Sequence, residues 1–204
     1  MKIYELAPTP SAKRVSFFLA EKGIEVERES VNVREGENLT EAFQSLSVNG
    51  RIPVLALDDG TTICESIAIC RYFEELYPEK APLFGATALE KAQVEMWQRI
   101  VELQGLFVAF QAFRNITAIY SDRETCIEAW GHESRQRVID FLPTLEKQLA
   151  EQPYVAGEHF SVADITAFVL MGMLAALEVA IDEYPNMQAW KTRIAERPAI
   201  QSIA

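Results

Sequence analysis

The sequence predicts two domains of different class: an α/β domain over residues 1–78 and, beyond a linker at 79–86, an all-helical domain over 87–204. Three observations carry this. Strand-like and helix-like rhythms alternate as far as Tyr77-Pro78, and no convincing strand pattern remains after Ala86. Between the halves, "PEKAPLFGA" (78–86) holds two prolines and a glycine, the composition of a connection. The order strand, helix, strand, hairpin, helix implies a small mixed sheet covered by helices.

Each element has a local reason. "KIYEL" (2–6) reads as a short strand. Val15, Phe18 and Leu19 give the i, i+3, i+4 spacing of an amphipathic helix that Gly23 ends. "VERESVNV" (26–33) is rich in β-branched residues and reads as a second strand. "VLAL" (54–57) and "TTI" (61–63) flank Asp59-Gly60, a strong hairpin signal. A helix follows from about Ser66 with Ile69, Phe73 and Leu76 on one stripe. In the second half Met96, Ile100, Leu103, Phe107 and Phe110 step 4, 3, 4, 3 and are expected to form the core face of a long helix. Val138, Leu142, Leu145 and Leu149 do the same in the next segment, where Pro143 is expected to introduce a kink. Ser161 and Asp164 form an N-cap with an acidic third residue, a structural device. The helix it opens, "DITAFVLMGMLAAL" (164–177), is apolar all round and is expected to be buried.

Composition narrows the function classes. The chain has 204 residues, 49% of them apolar, and a formal charge of −11 with no cluster of Lys and Arg, so nucleic acid is not an expected partner. Three cysteines (Cys64, Cys70, Cys126) are too few and too unevenly spaced for a disulfide framework and read as reduced thiols. The opening "MKIYELAPTPSAKR" has no apolar secretory core, and the run Ile165–Leu177 falls short of the ~20 residues a membrane span needs. A soluble cytoplasmic protein with no membrane partner is the expectation. Neither His132 nor His159 has ligand-spaced neighbours, so no metal site is expected.

The stretch "RIPVLALDDGTTICESIAI" (51–69) concentrates the chemistry. Pro53 heads an apolar run and cannot donate to a sheet ladder. Either it is a trans residue that opens the strand, or a cis Ile52–Pro53 bond turns the Ile52 N–H and C=O outward for an extended peptide to pair with. Ser66 is an ordinary N-cap or part of an anion site at a helix mouth. Glu65 beside it supplies an acceptor for an ammonium. A carboxylate pocket, an ammonium acceptor and a strand-like edge together describe a site for a zwitterionic peptide end.

On these residues the chain resembles the cytosolic glutathione transferases, bacterial theta- and nu-like members among them. "RIPVL" resembles the family's cis-proline segment and "ESIAICRYFEELYP" its Glu/Ser-x-x-Ile helix; "GEHFSVADI" (157–165) and "YPNMQAWKTRIAERPAI" (184–200) resemble two helices of its second domain. The resemblance implies a thioredoxin-like first domain, an all-helical second domain, glutathione as co-substrate and a homodimer. Carried over, Ile52 and Pro53 would bind the cysteinyl part of glutathione, Glu65 and Ser66 its γ-glutamyl end, and Asn38 and Arg51 its glycyl carboxylate. Counting six back from Val15 puts Thr9 at the thiol-activating position, with Ser11 a second hydroxyl two residues on; a bare capping role for Thr9, with Pro10 as first helical residue, is the competing reading. Leu6 and Ala7, with Phe110, Phe113 and Arg114 of the long helix, would meet the electrophile. The implied activity is attack of the glutathione thiol on a small hydrophobic electrophile in detoxification. Its rivals are a glutathione-dependent disulfide reductase and a non-catalytic transferase-like binding module. "SVNG" (47–50) departs from the family's common Asn-Pro before this glycine and is expected to reshape the loop near the glycyl end.

Overall fold

The computed structural model describes residues 1–203. They divide into two compact units, Met1–Ala81 with the segment from Pro198 onward, and Pro82–Arg197. In the first unit β1 (Lys2–Glu5) pairs in parallel with β2 (Glu27–Ser30) and antiparallel with β3 (Val54–Ala56). β3 forms a hairpin with β4 (Thr62–Cys64), giving the order β2-β1-β3-β4. The Asp59-Gly60 turn closes that hairpin as predicted. Gly60 takes φ +86°, and Asp59 Oδ1 accepts from the Thr61 N–H at 2.9 Å.

Strand side chains alternate, so the Ile3–Leu55 and Tyr4–Val54 pairs face opposite sides of the sheet. Tyr4 and Val54 join Val31, Val33 and Phe43 in one cluster. Elsewhere in the unit α1 (Pro10–Lys22) packs on α3 (Ser66–Leu76), burying Val15, Phe18, Leu19, Ile69 and Phe73. Leu76, expected on that stripe, is exposed instead. A Lys22–Glu74 ion pair of 2.7 Å joins these two helices. The predicted second strand is cut short after Ser30. There Asn32 Oδ1 accepts from the Arg34 N–H at 3.1 Å, a turn that breaks the ladder. A 3₁₀ turn (Glu37–Leu39) and the short α2 (Glu41–Gln44) follow, both too brief to show a period in sequence.

The second unit is helical. Thr87 and Glu90 form a reciprocal capping box that opens α4 (Ala88–Ile100). α4 runs through a π-helical turn (Val101–Leu106) into α5 (Phe107–Thr117). Here the predicted core stripe is reversed. Met96, Leu103 and Phe107 are exposed, and Ile100 and Phe110 are half-buried. The face turned inward carries Val94, Gln98, Val101, Gly105, Ala109 and Ala112. Small residues are needed there: a Cβ on Gly105 would stand 2.6 Å from Leu170 Cδ2 and 3.0 Å from Phe141 Cε1. Gln98, fully buried, accepts from the Thr166 hydroxyl at 2.8 Å. α6 (Glu128–Glu151) buries Val138, Leu142, Leu145 and Leu149 as predicted, with Pro143 inside the helix. α7 (Val162–Leu174) is buried along most of its length, and α8 (Pro185–Ala195) packs on α6 and α7. The predicted terminal helix continues as a separate short α9 (Pro198–Gln201), which packs on α1 of the first unit. Among the described residues no helix is long and apolar enough to cross a membrane.

Candidate active site

Strand register gathers the candidate residues of the first unit at one end of its sheet. Tyr4 pairs with Val54 and Val54 with Cys64. One step further lie Glu5, Pro53 and Glu65, followed by the Leu6–Thr9 turn, Ile52 and Ser66. The Ile52–Pro53 bond is cis, and the Ile52 N–H has no partner among the described residues. Glu65 occupies the N-cap of α3 with φ 70° and ψ 119°, so Ser66 is the first helical residue rather than the cap. The first bond into this helix end runs from Ile69 N–H to Glu65 O, which leaves the earlier amides open. Ser66 is 2% exposed, and its Oγ has no partner among the described residues. This helix end therefore offers open donors, the Ser66 hydroxyl and the first α3 amides, beside the Glu65 carboxylate acceptor.

Two residues that the sequence reading did not assign shape this site. Asn49 Nδ2 donates to Glu65 Oε1 at 2.9 Å and fixes the carboxylate. Ser47, 2% exposed, accepts from the Arg51 N–H at 3.0 Å and lies 2.9 Å from Arg51 O, so it pins the loop. Both belong to the "SVNG" departure, which was the available signal. Asn38 Nδ2 donates to Gly50 O at 2.8 Å, and its Oδ1 is buried without a partner among the described residues. Arg51 is exposed, and its guanidinium has no partner among the described residues.

Thr9 is the N-cap of α1 in an extended conformation, but its hydroxyl does not cap the helix. It donates to Leu6 O at 2.7 Å, and the Thr9 N–H donates to the same carbonyl at 2.9 Å. Ser11 follows, half-buried, with a hydroxyl that has no partner among the described residues. Leu6 packs against the Val31–Phe43–Val54 cluster, and Ala7 is exposed. Cys64 Sγ points to Ser47 Oγ at 3.8 Å, whereas Cys70 is fully buried and burial pushes its thiol well above the usual range. Cys126 lies just before α6. Among the described residues no group of His, Cys, Asp or Glu could hold a metal ion.

In the second unit Phe113 and Arg114 lie on α5, both half-buried, one turn beyond Phe110. Arg114 is already engaged: it pairs with Glu124 at 2.5 Å and stacks over Tyr120 with its guanidinium 4.9 Å from the ring centre. Asp164, fully buried, accepts four hydrogen bonds. Val155 N–H and Trp190 Nε1–H reach Oδ1 at 2.9 Å, while Ser161 N–H at 2.9 Å and the Ser161 hydroxyl at 3.0 Å reach Oδ2. Burial pushes this carboxyl up to about 6 against the pull of those donors. The Ser161–Asp164 pair thus ties the start of α7 to Val155 and Trp190.

Known proteins match along the whole chain. Residues 9–76 match the glutathione S-transferase N-terminal domain and residues 109–198 its C-terminal domain. Glutathione S-transferase 2 of Saccharomyces cerevisiae is 33% identical, with 100% of this chain and 89% of the relative aligned. A class Gtt2 glutathione S-transferase of Vibrio parahaemolyticus is 53% identical with a TM-score of 0.89, covering 100% of this chain and 96% of that one. The structure of Gtt2 from Saccharomyces cerevisiae superposes with a TM-score of 0.92 at 30% identity, with both chains fully covered. With a small mixed sheet flanked by helices followed by a helical unit, this chain belongs to the glutathione S-transferase family of enzymes.

Proposed function

We propose that this enzyme binds glutathione at the Pro53–Ser66 end of its sheet and activates the thiol for attack on a small, neutral, hydrophobic electrophile. The observation that carries the reading is the buried, unpartnered Ser66 hydroxyl at the α3 N-terminus beside the Glu65 carboxylate. In this reading Ser66 and the open α3 amides take the γ-glutamyl carboxylate, and Glu65, steadied by Asn49, takes the ammonium. Ile52 pairs main chain to main chain with the cysteinyl residue. Arg51 and the second Nδ2 hydrogen of Asn38 reach the glycyl carboxylate. The sulfur then lies at the Thr9–Ser11 turn. Residues 1–78 act as the glutathione domain, and residues 87–204 supply side chains for the electrophile.

The energetics suit this assignment. A free thiol titrates near 8.5, and lowering that by roughly two units takes about 2.7 kcal/mol of preference for the thiolate. One hydrogen bond to a charged group supplies about 1.5–3 kcal/mol, and a helix N-terminus adds about 0.3–1. No metal is required. Because Glu124 already pairs with Arg114, an aromatic or unsaturated electrophile without an acidic group is the favoured class. Purified protein is expected to bind glutathione in calorimetry and to conjugate an aryl halide. Reduction of a small disulfide without conjugation would instead establish the disulfide reductase, and binding with neither activity the non-catalytic module.

The reading extends to a homodimer working in detoxification in the cytoplasm, a reducing compartment that suits three unpaired cysteines. Support for the dimer comes from Leu89, Met96, Leu103 and Phe107, exposed along one side of the α4–α5 helix at spacings of seven, seven and four residues, an apolar stripe that a second copy would cover. Light scattering of the wild type is expected to give twice the chain mass, and Leu103→Glu with Phe107→Glu to give the monomer. A monomeric wild type at micromolar concentration refutes the dimer.

A further inference from the structure

We infer that the hydroxyl of Ser11, and not that of Thr9, donates the hydrogen bond that holds the glutathione sulfur as a thiolate. This rests on the glutathione reading above and assigns the reacting group within it.

A hydroxyl has one proton to give and otherwise only lone pairs. Thr9 spends its proton on Leu6 O at 2.7 Å, and its N–H goes to the same oxygen at 2.9 Å. These two bonds close the Leu6–Thr9 turn at the end of β1, so Thr9 presents only lone pairs to a ligand, and lone pairs repel an anion. Turning its proton toward the sulfur would strip a part-buried carbonyl of a donor and loosen the turn that positions the helix.

Ser11 has the opposite character. Pro10 carries no N–H, and the Lys13 N–H is taken by Thr9 O at 3.0 Å. The first main-chain donors of α1 are therefore those of Ser11 and Ala12, neither of which has an acceptor among the described residues. The Ser11 hydroxyl is likewise unpartnered and only half-buried. Helical Cα–Cβ bonds tilt toward the N-terminus, so this hydroxyl leans over the same end that its own amide faces. One residue thus offers two donors to a sulfur placed at the mouth of α1. Thr9 shapes the turn, and Ser11 touches the reacting atom.

The test compares Ser11→Ala, Ser11→Thr and Thr9→Val by ultraviolet titration of enzyme-bound glutathione thiolate, with calorimetric binding of glutathione and conjugation kinetics alongside. Ser11→Ala is expected to raise the bound thiol's pKa by about one unit or more and to lower kcat/KM at pH 6.5 by roughly tenfold, with glutathione affinity little changed. Ser11→Thr, which keeps a hydroxyl, is expected to restore the titration. Thr9→Val is expected to leave the bound thiol's pKa in place, whatever it does to stability. A pKa that moves with Thr9→Val and not with Ser11→Ala overturns the inference, as does a pKa indifferent to both. A wild type that binds no glutathione sinks the underlying reading as well, whereas normal binding with an unmoved Ser11→Ala titration sinks this inference alone.

Discussion

Asp164→Ala is expected to destabilise the helical unit severely. The carboxylate is the shared acceptor for the Val155 and Ser161 amides, the Ser161 hydroxyl and the Trp190 indole, all at 2.9–3.0 Å in a fully buried place. Alanine leaves those donors without a partner, and each such buried group costs about 1–3 kcal/mol. Relaxation recovers part of that, so a net loss of roughly 4 kcal/mol or more is expected in urea denaturation, against a typical total of about 5–15. Asp164→Asn keeps an acceptor for Trp190 and Val155 but turns an NH₂ toward the Ser161 amide, so about half that loss is expected.

The same residue makes a pH prediction. Its carboxyl is raised from 3.8 to about 6 by burial, so between about pH 4 and 6 the folded state holds a proton that the unfolded chain has released. The stability it contributes is therefore greatest below about pH 4 and declines as the pH rises through 6. The gap between wild type and Asp164→Asn is expected to be wider at pH 4.5 than at pH 7.5 by about 2 kcal/mol. A gap independent of pH would show that the four donors hold the carboxylate ionised throughout.

Glu65→Gly is expected to separate binding from stability. Glu65 sits at φ 70°, where a side chain is strained by about 1–3 kcal/mol and glycine is not, while glycine's greater freedom in the unfolded chain offsets about 1 kcal/mol of the relief. Unfolding free energy is therefore expected to be unchanged or slightly raised. Glutathione affinity is expected to fall roughly 10- to 150-fold with the loss of a charge-assisted bond to the γ-glutamyl ammonium. Equal losses in both measurements would make Glu65 a structural residue and remove it from the site.

Much of this organisation was legible in the sequence because it rests on local signals. Asp59-Gly60 fixes a hairpin, Gly23 takes φ 58° to stop α1, and the uninterrupted apolar run of α7 is a buried helix. The long α4–α5 helix was misread for a definite reason. Its inward face carries the small or polar Gly105, Ala109, Ala112 and Gln98, and at Gly105 neighbouring side chains approach too closely for any larger residue. Met96, Leu103 and Phe107 were left outside, so periodicity found the stripe and assigned it to the wrong side. At the candidate site Glu65, Ser66 and Pro53 announced themselves by type and position. The engagement of the Thr9 hydroxyl and the grip of Asn49 on Glu65 are properties of side-chain geometry that no spacing encodes.

The antiparallel hairpin has a practical corollary. Running from Val54 to Cys64, it sends its reversal, the exposed Asp58-Asp59-Gly60, to the pole of the sheet opposite Pro53 and Glu65, where the chain's amino terminus also meets Asp58. A fluorophore or affinity handle grafted into that reversal would travel with the folded unit while leaving the Pro53–Glu65 end untouched.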